Sequence, residues 1–148
     1  MKLISACLLG VRCAWSGDGR YKNSRAAQLS KVEILIPVCP EQLGGLPTPR
    51  APQEIRGGTG DDILNSKCKV INKDGQDVTK EFIKGAEETL KIACQLNINE
   101  FIAKSGSPSC GCAQIYDGSF SDRLIDGDGV TTALLKRNGI KIIPEEDL

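Results

Sequence analysis

Histidine is missing from all 148 residues. That absence removes Ser-His-Asp and Cys-His nucleophilic machinery, and every zinc site that uses an imidazole. Aromatic residues are scarce at 4%, too few for a platform on which single-stranded bases stack. An excess of either charge is missing too, because 19 Lys and Arg balance 19 Asp and Glu. A neutral chain has no electrostatic footprint for tight binding to nucleic acid or to a membrane surface. No run approaches the ~20 apolar residues that span a bilayer. Ile4-Ser5-Ala6-Cys7 resembles a lipoprotein cleavage site, but only six residues precede Cys7. That is too short for the charged and apolar parts of a signal peptide, so the expected location is cytoplasmic.

With 40% hydrophobic and 26% charged residues, the chain has the composition of one folded domain spanning residues 1–148. The unusual holding is cysteine: Cys7, Cys13, Cys39, Cys68, Cys94, Cys110 and Cys112. Seven is odd, and the spacings form no disulfide ladder. In a reducing compartment, clustered cysteines point to metal binding or catalysis.

The apolar segment Lys2 to Ala6 reads as a strand, and Asn23 to Ser30 as a short helix capped by Asn23 or Ser24. Val32 to Val38 has the near-continuous β-branched look of a strand buried on both faces. Pro40 to Gly60, rich in Gly and Pro, reads as a long functional loop. Lys69 to Asn72 and Gln76 to Val78, joined at Asp74-Gly75, predict a hairpin. The clearest helix runs from Thr79 to about Leu96, with apolar Phe82, Ile83, Ala86, Leu90, Ala93 and Cys94 in helical period. A third strand at Glu100–Ala103, a helix over Gly129–Asn138 and a fourth strand at Ile140–Ile143 complete the series. Strands alternating with helices predict an α/β fold: a mostly parallel, Rossmann-like sheet of about four strands with helices on its faces.

Cys7, Cys39 and Cys110 each follow one of the first three strands. In such sheets ligands bind beyond the carboxyl ends of the strands, so three thiols can converge on one point. Three thiolates without histidine suit zinc with an open fourth position, or a cubane iron–sulfur cluster with one iron left open. Spacing leaves both possible. Cys94 and Cys68 read as structural thiols, whereas Cys13 and Cys112 stay ambiguous. Glu41, two residues beyond Cys39, is placed to act as general acid or base. Ser107 and Ser109 offer hydroxyls beside Cys110, although serine is also an ordinary turn residue. Arg50 and Arg56 could meet an anionic part of a substrate or simply face solvent. Gly57-Gly58-Thr59-Gly60 lacks the Lys-Ser/Thr of a P-loop. Gly127 to Thr132 reads as helix capping rather than an anion site.

Several motifs together resemble one family. These are Ser5-Ala6-Cys7-Leu8-Leu9-Gly10, Pro37-Val38-Cys39-Pro40-Glu41, Gly44-Gly45-Leu46-Pro47-Thr48-Pro49-Arg50, Ser107-Pro108-Ser109-Cys110-Gly111 and Ile115-Tyr116-Asp117-Gly118. They resemble the bacterial proteins of domain of unknown function 523, some of which are thiouracil desulfidases, over nearly the whole chain. The resemblance implies a [4Fe–4S] cluster held by Cys7, Cys39 and Cys110, with the fourth iron free. It makes Glu41 the acid–base residue, with Ser109 assisting catalysis and Ser107 contacting substrate. One departure is visible: the tyrosine-containing segment expected soon after the first motif reads Cys13-Ala14-Trp15-Ser16-Gly17-Asp18-Gly19, with Trp15 in its place.

The expected activity is removal of sulfur, as sulfide, from a small thiocarbonyl compound: a thiolated base, nucleoside or nucleotide. Two other classes compete with it. One is a non-catalytic zinc or structural metal module, and the other a cysteine persulfide carrier.

Overall fold

The computed structural model describes residues 1–148. In chain order the strands are β1 (Lys2–Ser5), β2 (Leu35–Val38), β3 (Gln53–Arg56), β4 (Lys69–Asn72), β5 (Glu100–Ala103), β6 (Gln114–Tyr116), β7 (Leu124–Asp126) and β8 (Lys141–Pro144). The helices are α1 (Ser24–Leu29), α2 (Pro40–Leu43), α3 (Gly60–Leu64), α4 (Thr79–Gln95) and α5 (Val130–Arg137). Four strands make a parallel sheet in the order β2-β1-β5-β8. The α/β, Rossmann-like reading holds.

The two central strands are apolar on both faces because helices cover both. Leu3 and Phe101 pack with Ala93 and Leu135 of α4 and α5, while Ile4 and Ile102 pack against Ala26 of α1. Neighbouring residues serve opposite faces through the two-residue strand period. A third core lies under the antiparallel pair β3–β4, where Ile55 and Val70 meet Ile63, Phe82 and Ile115. No helix is long and apolar enough to cross a membrane.

Several local expectations need correction. The second strand begins at Leu35, and it is an edge rather than a centre. Val32 and Ile34 are exposed, because Val32 and Glu33 still bond back to the Leu29 carbonyl at the end of α1. Pro37 fits an edge strand, which can spare one ladder donor. The Pro40–Gly60 stretch is not a loop throughout. It holds α2, started by Pro40 at its first position, and β3. β4 does turn back at Asp74-Gly75, with Val78 N–H on the Val70 carbonyl, but its ladder partner is β3. The small hairpin β6–β7 escaped sequence reading.

α4 keeps its predicted span, and its buried face is Phe82, Gly85, Ala86, Thr89 and Ala93. Cys94 is exposed rather than buried, since it lies one residue, about 100°, round from Ala93. Cys68 is half-buried against the third core, in keeping with a structural thiol.

Candidate active site

β1 and β5 adjoin where the chain reverses its direction across the sheet, the place where this topology opens a crevice. A cavity of about 390 Å³ lies there. Cys7, Cys39 and Cys110 all line it, as do Cys13 and Glu41. The three thiols predicted to converge do so.

Each is set by its own local device. Cys7 stands in a 3-10 turn (Ala6–Leu9) that leaves β1 and is closed by Gly10 at φ 86°, with the Gly10 N–H on the Cys7 carbonyl. Only glycine takes that left-handed conformation at no cost. Cys39 caps the N-terminus of α2, and Pro40 starts the helix. α2 is pressed on α4 through two glycines. A Cβ on Gly44 would stand 2.0 Å from the Glu81 carbonyl oxygen, and one on Gly85 1.9 Å from that of Pro40.

Cys110 closes the turn that Ser107 begins. The Ser107 Oγ accepts from the Ser109 and Cys110 N–H groups at 3.1 and 3.0 Å. That turn is anchored to the start of α5, where the N–H groups of Val130 and Thr131 reach the carbonyls of Pro108 and Ser109 at 2.9 Å. The N–H groups of Gly127, Gly129, Val130, Thr131 and Thr132 are already taken by backbone carbonyls, which fits capping rather than an anion site.

Serine roles separate here. Ser107 lines the cavity. Ser109 does not. It is 0% exposed and its Oγ pairs with the Thr131 Oγ1 at 2.8 Å. The turn that aims Cys110 at the cavity turns Ser109 into the core, so the hydroxyl expected to assist catalysis does not face the cavity.

The electrostatics favour the neutral thiol at Cys7, Cys39 and Cys110. Burial, then the Glu41 carboxylate, pushes Cys7 up to about 12. Cys110 is raised well above its ordinary value by the same two causes, with a contact from Ser5 opposing them. Cys39 is raised by its hydrogen bond with Cys13, then by burial and Glu41. Its Sγ lies 3.6 Å from both the Glu41 Oε2 and the Cys13 carbonyl oxygen. Cys13 is lowered by that same thiol contact. Four thiols and a carboxylate around one cavity make a donor set that a soft, positively charged metal centre would satisfy. No three of the Cys, Asp or Glu side chains gather tightly enough to hold a single metal ion.

Of the walls, sequence reasoning named Trp15 and Tyr116 only within motifs, and it missed Tyr21, Phe120 and Lys104. Trp15 and Tyr21 stand together, the indole Nε1 donating to the Tyr21 hydroxyl at 3.1 Å. Tyr116 and Phe120 face the cavity from the β6–β7 hairpin, which Glu54 of β3 ties down by accepting from the Gly118 and Phe120 N–H groups at 3.0 and 3.2 Å. Lys104, directly after β5, lies 5.1 Å from the Tyr21 ring centre and pairs with Glu145 at 2.7 Å. Its place beyond a strand end was the available signal. Cys112 lies outside the cavity, beside Lys136, and Arg56 faces solvent. Arg50 faces the cavity instead.

Comparison with known proteins agrees with this architecture. A family described as 2-thiouracil desulfurase matches residues 3–147. The uncharacterized protein YbbK of Bacillus subtilis (strain 168) is 43% identical over 148 residues, covering 100% of this chain and 97% of that one. A solved structure of the [4Fe-4S]-dependent thiouracil desulfidase TudS superposes with a TM-score of 0.84 at 39% identity. The match covers 99% of this chain and 91% of that one. The chain belongs to the 2-thiouracil desulfurase family.

Proposed function

We propose that this protein is a cytoplasmic desulfidase that removes sulfur, as sulfide, from a small thiocarbonyl compound such as a thiouracil. In this reading Cys7, Cys39 and Cys110 hold a [4Fe–4S] cluster. The observation that carries it is the convergence of these three strand-end thiols on one cavity with Glu41 beside them. A persulfide carrier would need an accessible thiolate of low pKa. Cys7 and Cys110 are shifted the other way, and Cys13, which is shifted down, is only 2% exposed.

When bound, the cluster supplies an open iron, a Lewis acid for the soft thiocarbonyl sulfur. The chain's own residues do the rest. Trp15, Tyr21, Tyr116 and Phe120 offer ring faces and edges for a flat heterocycle. Glu41, 11% exposed, takes the proton of a water that attacks the thiocarbonyl carbon. Ser107, whose Oγ lone pairs already hold two backbone N–H groups, keeps its hydroxyl proton to donate to the substrate. Water adds its oxygen and sulfide leaves, so carbonyl replaces thiocarbonyl with no net electron transfer.

The test is sulfide release from thiouracil by anaerobically reconstituted protein. Glu41→Gln should keep the iron content of the parent while lowering kcat by about 10²–10⁴-fold. Unchanged turnover would remove Glu41 from the acid–base role.

A further inference from the structure

One buried side-chain N or O atom in the chain has no hydrogen-bond partner: the Nε of Arg50. The Arg50 side chain is 6% exposed and stands at the cavity beside Glu41. A buried donor left unpaired loses its hydration without return.

The remainder of the guanidinium is tethered. Nη1 donates to the Cys13 carbonyl at 3.0 Å, to Thr48 Oγ1 at 3.0 Å and to the Pro47 carbonyl at 3.2 Å. The Arg50 backbone N–H holds the Trp15 carbonyl at 2.9 Å. Fixed on that side, the group keeps the donors of its Nε–Nη2 edge unspent. Such an edge matches the two oxygens of a carboxylate. The carboxylate at hand is Glu41, whose Oε2 lies 3.9 Å from Nη2, inside ion-pair range but beyond a hydrogen bond. Glu41 instead takes the Cys39 thiol contact at 3.6 Å.

We propose that Arg50 is the positioning residue for Glu41: once Cys39 is engaged as a metal ligand, the Nε–Nη2 edge takes the Glu41 carboxylate as a side-on pair. This rests on the cluster-dependent function proposed above. The one Cys39 S–H lies equally near the Glu41 Oε2 and the Cys13 carbonyl oxygen, at 3.6 Å; a ligating cysteine has no S–H to give, so Glu41 is left without a thiol donor. The Arg50 fork, held still by the Cys13 turn and the Pro47–Thr48 segment, replaces it and fixes the plane of the carboxylate toward the substrate. Arg50 then serves two loops at once, joining the Cys13–Trp15 turn to the acid–base group.

The test begins with the structure of the unmutated protein after anaerobic loading. Both Glu41 oxygens are expected at about 2.7–2.9 Å from Nε and Nη2 of Arg50. A loaded site in which Glu41 stays on Cys39 overturns the proposal. In kinetics, Arg50→Gln and Arg50→Lys should each lower kcat by about 10²-fold at unchanged iron content, with KM within about threefold. Lysine fails to rescue because a point charge cannot replace the fork. Arg50→Gln should add nothing in a Glu41→Gln background. Additive losses, or a raised KM at full kcat, would show Arg50 acting apart from Glu41 and overturn the proposal. If the variants lose iron or fail to fold, the parent's loaded structure still decides. A cluster that loads with Glu41 side-on to Arg50, yet turns over no thiocarbonyl compound, sinks the desulfidase reading alone. A chain that takes up no cluster overturns both.

Discussion

Gly85→Ala tests whether α4 sets the position of the cysteine-bearing helix α2. The added methyl would meet the Pro40 carbonyl oxygen at 1.9 Å, where real Cβ contacts stay above 3.0 Å. The obstacle is backbone, so it cannot be avoided by a rotamer change. α2 must retreat by about 1 Å, carrying Cys39 and Glu41 with it. For stability, replacing a helix-interior glycine gains about 1 kcal/mol in propensity. Overpacking costs about 1–3 kcal/mol. The net loss of about 0–2 kcal/mol corresponds to a Tm decrease of at most about 8 °C for a chain of this length. A 1 Å misplacement at a reacting centre, by contrast, costs about 10²-fold in rate. The variant should therefore melt close to the parent while losing most of its sulfide-releasing activity. Circular dichroism melting and kcat/KM on reconstituted protein read the two quantities, with exposed Lys84→Ala as the neutral control. A folded Gly85→Ala protein within about threefold of parental activity would refute the claim that this glycine contact positions the site.

Ser109→Ala should cost about 1–3 kcal/mol of stability, because Thr131 Oγ1 loses a buried partner. Activity per loaded site should stay at the parental level, and a large kcat loss at full iron content would return Ser109 to catalysis. Stability should also fall in acid through Glu145. Burial alone would raise that carboxyl, but hydrogen bonds from the Lys104 ammonium at 2.7 Å and the Ser105 N–H at 3.0 Å hold it below its ordinary value of 4.5. A depressed folded-state pKa contributes stability above the unfolded value, lost as pH falls through the folded one. Glu145→Gln should be less stable near neutrality and flatter in urea midpoint below about pH 4.5. An equal acid slope in both proteins would exclude this pair as a source.

The sheet was legible because its strands announce themselves as apolar runs between helical periods, and the Glu100–Ala103 strand and the helix from Thr79 emerged nearly as read. The convergence of Cys7, Cys39 and Cys110 followed from topology alone, since strand ends share one edge of a parallel sheet. What stayed hidden depends on contacts distant in sequence. Whether Ser107 or Ser109 faces the cavity is decided by Thr131, which lies 22 positions from Ser109. β3 was invisible because Gln53–Arg56 has little apolar pattern and gains its place from pairing with β4. β2 misled for the opposite reason: Val32 and Ile34 have strand chemistry but follow a helix end that keeps them outside the ladder. Arg50 could be suspected from its charge, yet only its burial and its unspent edge connect it to Glu41.

The central claim is that Cys7, Cys39 and Cys110 together hold one iron–sulfur cube. Iron and acid-labile sulfide, counted after anaerobic reconstitution of the parent and of Cys39→Ala, test it most directly. The parent should carry about four of each per chain, and the variant should lose the intact cluster and its absorption band. Stoichiometric zinc in the anaerobically purified parent, or a full cluster in the Cys39→Ala protein, would contradict it.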